Sequence, residues 1–153
     1  MATDQPPQDI ERLASALMAA NQEPTPITDL ATLLSTLTVS QRPGEFCMAT
    51  VPDTTPLGDG VEALMIEDEG VTAISTTSRA EAEGWDYEFP CAWLTLDVYS
   101  ALEAVGLTAA VAKVLTEAEI PCNVIAARHH DHILVPTARV TEAAEVIELL
   151  ARE

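Results

Sequence analysis

The sequence predicts an α+β protein made of two similar halves, and three features of its patterning carry that reading. From Ala92 to Pro136 the hydrophobic period passes from two residues to about 3.6 and back, the mark of a strand, a helix and two further strands. Val61–Ile66 and Val71–Ser75 are short apolar runs joined by Glu67-Asp68-Glu69-Gly70, a hairpin with glycine where a positive φ is needed. Along the chain the elements then run α-β-β-β-α followed by β-α-β-β-α.

Taken in order, Met1 to Gln8 is polar with Pro6-Pro7 and reads as disordered. Asp9 to Ala20 has the spacing of a short helix, with Ile10, Leu13 and Leu17 on one face, and Asn21 to Pro26 is a proline-bearing linker. Residues 1–26 therefore form an extension, 27–90 a first half and 91–153 a second. Thr28 is the expected cap of a helix with Leu30, Leu33, Leu34 and Leu37 at i, i+3, i+4 and i+7. Arg42-Pro43-Gly44 turns the chain into a strand over Phe46–Val51, and Pro52 to Gly60 is a surface loop. After the hairpin, Thr77 or Ser78 caps a short acidic helix ended by Gly84, and Trp85, Tyr87 and Phe89 alternate in a segment closed by Pro90.

In the second half, Ala92 to Tyr99 alternates as a half-buried strand. Leu107, Val111, Val114, Leu115 and Ala118 share one face of an amphipathic helix that Pro121 cannot continue. Cys122–Ala127 is an apolar run suited to a buried strand, Arg128 to His130 turn the chain, and Asp131 to Val135 return it. Thr141 to Leu150 closes the chain as a helix with Ala144, Ile147 and Leu150 on one side.

The segments SALEAVGLTAAVAKVL, IPCNVIAA and HHDHILVP resemble the ACT domain family, in the tandem form known from CASTOR-like small bacterial proteins. Val105-Gly106 stand where that family often has Pro-Gly before its helix, and Ile120, Asn123 and Val124 stand at the start of its second strand. The resemblance is specific over Trp93 to Leu150. Over Thr28 to Thr76 it rests on RPGEF and EDEGVTAIS. It implies two ferredoxin-like, ACT-like halves in an antiparallel sheet covered by helices on one face. An ACT domain has the order βαββαβ, so the first half lacks its opening strand and the second its last. The halves are expected to complete one another around a central strand at Cys91 to Tyr99, neither being stable alone.

Composition narrows the function. The formal charge of −18, from 25 acids against 7 lysines and arginines, disfavours nucleic acid, an anionic membrane or a phosphate-rich ligand as partner. Cys47, Cys91 and Cys122 are odd in number, lie in apolar runs and lack CxxC spacing, which reads as reduced thiols in a cytoplasmic protein. No run has the length of a transmembrane helix, and the N-terminus is unlike a signal peptide.

The chemistry reads as binding. Ser100-Ala101-Leu102-Glu103 matches an S-x-x-E capping box, which would start a helix at Ser100. The resemblance instead starts the helix near Gly106 and makes Ser100 to Val105 a loop around a ligand. Gly106 then either admits ligand to the helix start or packs against a neighbouring backbone. Under the resemblance a small molecule, an amino acid, meets Ser100, Glu103, Val105, Gly106 and Leu107 in the loop, Asn123, Val124 and Ile125 on the strand, and His129, His130 and Asp131 at the turn. Its carboxylate would face the helix start, and its ammonium an acid such as Asp97 or Asp131. The run Arg128-His129-His130-Asp131-His132 invites a metal reading, but its histidines lie within four positions, where side chains of a tight turn splay apart. The sequence has no GxSxG, P-loop or dinucleotide fingerprint, and no catalytic residue, metal or cofactor is assigned. The resulting expectation is an amino-acid-binding regulatory protein, a homodimer through its sheet edges, without a reaction of its own. The alternatives are a structural dimerisation module with a vestigial site and, last, an enzyme using the histidine turn.

Overall fold

The computed structural model describes residues 25–152, so the helix expected over Asp9–Ala20 and most of the extension 1–26 lie outside the described residues. The elements are α1 (Leu30–Ser35), β1 (Val39–Val51), β2 (Val61–Glu67), β3 (Gly70–Thr76), α2 (Thr77–Glu83), β4 (Asp86–Leu96), α3 (Leu107–Glu117), β5 (Asn123–Ala126), β6 (Asp131–Pro136) and α4 (Val140–Leu149), with short 3₁₀ turns before and after α4. One six-stranded sheet has the order β2-β3-β1-β4-β6-β5, and every pairing is antiparallel.

That order explains how incomplete halves make whole ones. The second half contributes β4, β5 and β6, and β1 lies beside β4 as its fourth strand. The first half contributes β1, β2 and β3, and β4 returns the service. Each half thus has the 4-1-3-2 strand order of a ferredoxin-like sheet, and the two central strands serve both. The first half carries a loop, Pro52 to Gly60, where the second carries α3 between its strands.

Both central strands are longer than their sequences suggest, because two breakers lie inside them as bulges. Pro43 and Gly44 sit within β1, where the register with β4 shifts between Arg42↔Trp93 and Phe46↔Cys91. Gly44 has φ +107°, and Pro43 at an irregular point gives up no ladder hydrogen bond. Phe89 and Pro90 make a second irregularity between Phe46↔Cys91 and Met48↔Glu88, with Phe89 itself at φ +56°. Pro90 therefore does not close the segment, and the strand runs through it. Helix caps also move by one residue: Asp29 caps α1 by accepting from Thr32 N at 2.8 Å, and Thr76 caps α2 by accepting from Arg79 N at 3.3 Å. The two hydrogen bonds from Thr32 hold the Asp29 carboxyl below its ordinary value. Gly84 ends α2 in the left-handed conformation, as its position predicts.

Alternate residues of the strands feed separate cores. On the helix-covered face, Leu94, Leu96, Ile133 and Val135 pack under α3 and α4 with Val111, Leu115 and Ile147. Leu33 and Leu37, from in and just after α1, join this same core although they precede β1 in sequence. Cys47, Ala49, Val51 and Ala73 meet Ala80 of α2 in a second cluster. On the other face Phe46, Ile74, Cys91, Trp93 and Leu134 form a third. The Phe46 and Trp93 rings meet edge-on at 5.4 Å, and the Arg42 guanidinium lies 5.7 and 5.1 Å above them while pairing with Glu62 at 2.6 Å. Desolvation pushes the Cys47 thiol up to about 11 and that of Cys91 to about 12, so both stay protonated and inert.

Gly106 is the N-cap of α3 at φ +107°, and a Cβ there would come within 2.7 Å of Leu30 Cδ2. Of the two roles open to this residue, the structure shows close packing, against the Leu30 side chain of α1. A Gly106→Ala variant is expected to lose about 1–3 kcal/mol without any ligand, from overpacking and backbone strain together. Leu30→Ala in the same chain removes the steric part, so chemical denaturation of both single variants and the double should show a favourable coupling. Strict additivity would dissociate Gly106 from Leu30.

A second outcome follows from the shared strands. A fragment from Trp85 onward retains β4, β5 and β6 but loses β1, Leu33 and Leu37, and should show no cooperative melting by circular dichroism. A sharp transition in that fragment would mean that the second half needs neither.

Candidate functional site

The loop between β4 and α3 shapes the candidate site, and its conformation is set by a distant partner. Ile27 N donates to Tyr99 O at 2.8 Å, and Ala101 N donates to Ile27 O at 2.9 Å, a parallel bridge between the chain entering α1 and the end of β4. With Ala101 N committed to Ile27, Ser100 does not begin a helix despite its capping-box sequence. Residues Ser100 to Val105 instead form a loop that includes a turn closed by Ala104 N to Ala101 O at 2.9 Å. α3 starts at Leu107, without a side-chain cap.

Between that loop, the start of α3 and the β5–β6 hairpin lies a cavity of about 80 Å³. Ser100, Leu107 and Asp131 line it, with Ala101, Leu102, Ala104, Thr108, Ala126 and Ala127. The first amides of a helix have no partner inside it, so Leu107 and Thr108 bring donor groups and the positive end of the helix dipole to one wall. On the other wall Asp131, in register with Ala126 at the start of β6, is only 8% exposed. Ser100 Oγ donates to Asp131 Oδ2 at 3.5 Å, a long contact. Burial raises the Asp131 carboxyl above its ordinary value, against smaller lowering effects of Ser100, His132 and His130.

A second, more open cleft of about 270 Å³ shares Ser100, Ala101 and Leu102 and adds Glu103, Arg128, Tyr99, Thr28 and Pro26. The turn histidines brace its surroundings. His130 Nδ1 donates to Val98 O at 3.3 Å, and the His129 and Tyr99 rings lie 5.5 Å apart. His132 points to the opposite sheet face, hydrogen-bonded to Thr95 at 3.0 Å and edge-on to Trp93 at 5.3 Å. Burial first, then His130, hold its imidazole below the usual value. Among the described residues no group of three or more His, Cys, Asp or Glu side chains is placed to hold a metal ion.

The residues singled out from sequence separate in space. Ser100, Leu107 and Asp131 meet in the small cavity, and Glu103 lines the open cleft. Gly106 lies beneath Leu30, and Val105 is 82% exposed. Asp97 is exposed with its backbone N bonded to Thr38 O. Asn123 is exposed on the edge strand, Val124 packs against the helix-side core, and Ile125 packs against the opposite cluster. Thr108, Ala126, Ala127, Tyr99 and Arg128 were missed. Ala126-Ala127 did carry a signal, since a strand that prefers branched residues ends there on two methyl groups.

Comparison with known proteins bears on this geometry. Two family models, each described as the ACT domain, match residues 25–92 and 88–149. No functionally curated protein matches the chain. Among solved structures, a Vibrio cholerae protein of unknown function, described as a possible transport protein, is 33% identical, with 80% of this chain and 95% of that chain covered and a TM-score of 0.70. An Agrobacterium tumefaciens protein is 15% identical over 75% of this chain and 89% of its own, with a TM-score of 0.63. The regulatory subunit of aspartate kinase from Thermus thermophilus is 9% identical over 73% and 95%, with a TM-score of 0.54, and shares the fold. The overlapping matches meet on β4, the strand that both halves use, and the chain belongs to the ACT domain family, with two ACT domains in tandem.

Proposed function

We propose that this protein is a regulatory module that binds a free amino acid in the cavity between the Ser100–Val105 loop, the start of α3 and Asp131, and catalyses no reaction of its own. The observation that carries the reading is the pairing, across one small cavity, of a helix start on one wall with a nearly buried carboxylate on the other. The α-carboxylate would lie against the free amides of Leu107 and Thr108, and the ammonium against Asp131. A signal could leave through the loop, since Ala101 is tied to Ile27 and hence to the segment entering α1. Membership of the ACT family and the fold shared with aspartate kinase regulatory subunits support a regulatory, ligand-binding role. Among the described residues no helix is long and apolar enough to cross a membrane. A cytoplasmic setting, where the three thiols stay reduced, accompanies this reading.

A thermal-shift screen of the full chain against the proteinogenic amino acids tests the proposal. A ligand that binds only the folded state raises the midpoint with concentration, by an amount equivalent to about 2.7 kcal/mol at one hundred times Kd. Absence of any concentration-dependent shift would reject it.

We further propose a homodimer through the free edge of β2, where Ile66 is 90% and Met65 41% exposed on a strand with an unpaired side. With a charge of −18 the association should strengthen as salt screens repulsion. Light scattering across salt and protein concentration checks this, and a monomer throughout would exclude it.

A further inference from the structure

The amino-acid reading leaves open which amino acids the cavity takes, and its walls address that question. The space is about 80 Å³, roughly half of the 150 Å³ that an engineered cavity uses to hold benzene. It is bounded by the methyl groups of Ala101, Ala104, Ala126 and Ala127 rather than by side chains that could swing aside. A large hydrophobic or long basic side chain has no volume to enter there.

The charge in the cavity is equally restrictive. Asp131 is 8% exposed, and its recorded side-chain partner is the Ser100 hydroxyl at 3.5 Å. Among the described residues it takes part in none of the ion pairs, which join Arg42 to Glu62, Arg79 to Glu83, Lys113 to Glu117 and Arg139 to Glu142. A carboxylate removed from water without a cation costs free energy, and the upward displacement of its titration expresses that cost. A packing role would be met as well by an uncharged residue of the same shape. A group that must supply negative charge to an incoming ligand is not replaceable in this way.

We infer that Asp131 is the counter-charge for a ligand ammonium and the alanine-walled cavity a size filter, so that the protein selects free α-amino acids of the glycine, alanine and serine class. This rests on the amino-acid reading above and adds two requirements to it: a small side chain and a charged amine. Analogues in which a hydroxyl replaces the amine present no cation to Asp131 and leave its carboxylate unpaired.

The test uses the full chain, wild type and Asp131→Asn, in a thermal-shift titration with glycine, alanine, serine, leucine, phenylalanine, lysine, glycolate and lactate. In the wild type the three small amino acids should raise the midpoint with concentration, while the large ones and the two hydroxy acids leave it unchanged. Asparagine keeps the shape and can still bond Ser100, so Asp131→Asn should fold with an apo midpoint at or above wild type. The sign follows from a carboxyl raised in the folded state: its cost is present at neutral pH and vanishes as pH falls below the ordinary value near 3.8. Its affinity for the small amino acids should fall by roughly tenfold or more. If leucine, phenylalanine or lysine shifts the wild type as strongly as glycine, or lactate as strongly as alanine, the selectivity inference fails while amino-acid binding stands. Full response of Asp131→Asn likewise removes Asp131 from the site alone. If no amino acid shifts the wild type, the functional reading and the inference fall together. Should Asp131→Asn not fold, the contrast between alanine and lactate on wild type decides the role of the amine.

Discussion

The pairing of β1 with β4 is the interaction on which this molecule depends. Each strand is the first of one ferredoxin-like half and the fourth of the other, so neither sheet is complete without the contact. The ladder is interrupted twice, at Pro43-Gly44 and at Phe89-Pro90, and both interruptions place a proline where the lack of an amide hydrogen is harmless. Between and beside them, Phe46, Cys91 and Trp93 bury the face away from the helices. A helix-covered sheet normally needs little on its second face. Here that face is a core as well, roofed by the Arg42 guanidinium.

The helical side shows the same dependence across halves. Leu33 and Leu37 precede β1 but pack with α3 and α4 of the second half, and Leu30 presses on Gly106 at the start of α3. Fully burying a leucine side chain is worth about 1.5–3 kcal/mol, so the segment from Ile27 to Leu37 holds a large share of the stability of a half to which it is not adjacent in sequence. The Ile27 bridge brings the same segment to the site loop. Ligand in the cavity and packing of α1 therefore act on one connected stretch of backbone.

Charge enters as a background cost. Four surface ion pairs engage four of the seven basic residues, and pairs of this kind contribute about 0–1 kcal/mol each. The remaining acids repel one another and make both folding and association dependent on ionic strength. Asp131 differs from those surface acids because it is nearly buried, and its charge is felt in a confined space rather than through solvent.

What the sequence determined by itself was whatever short-range periodicity and backbone chemistry encode. The hairpin at Glu67–Gly70, the amphipathic α3 with Leu107, Val111 and Leu115 inward, the left-handed Gly84 and the ACT resemblance of the second half were all legible. What only the tertiary structure decided were features in which a distant partner outweighs a local preference. Ser100-Ala101-Leu102-Glu103 is a good helix start, yet Ala101 N is taken by Ile27, seventy-four positions earlier, and the segment stays a loop. Pro43 and Pro90 signal strand ends, yet long ladders on either side carry the strands through them as bulges. The site followed the same rule. Asp131, Ser100 and Leu107 could be named because they sit at element ends, but Thr108, Ala126 and Ala127 became cavity walls only when the β5–β6 hairpin met the start of α3. Local pattern specifies which elements form, and the volume between them exists only after they pack.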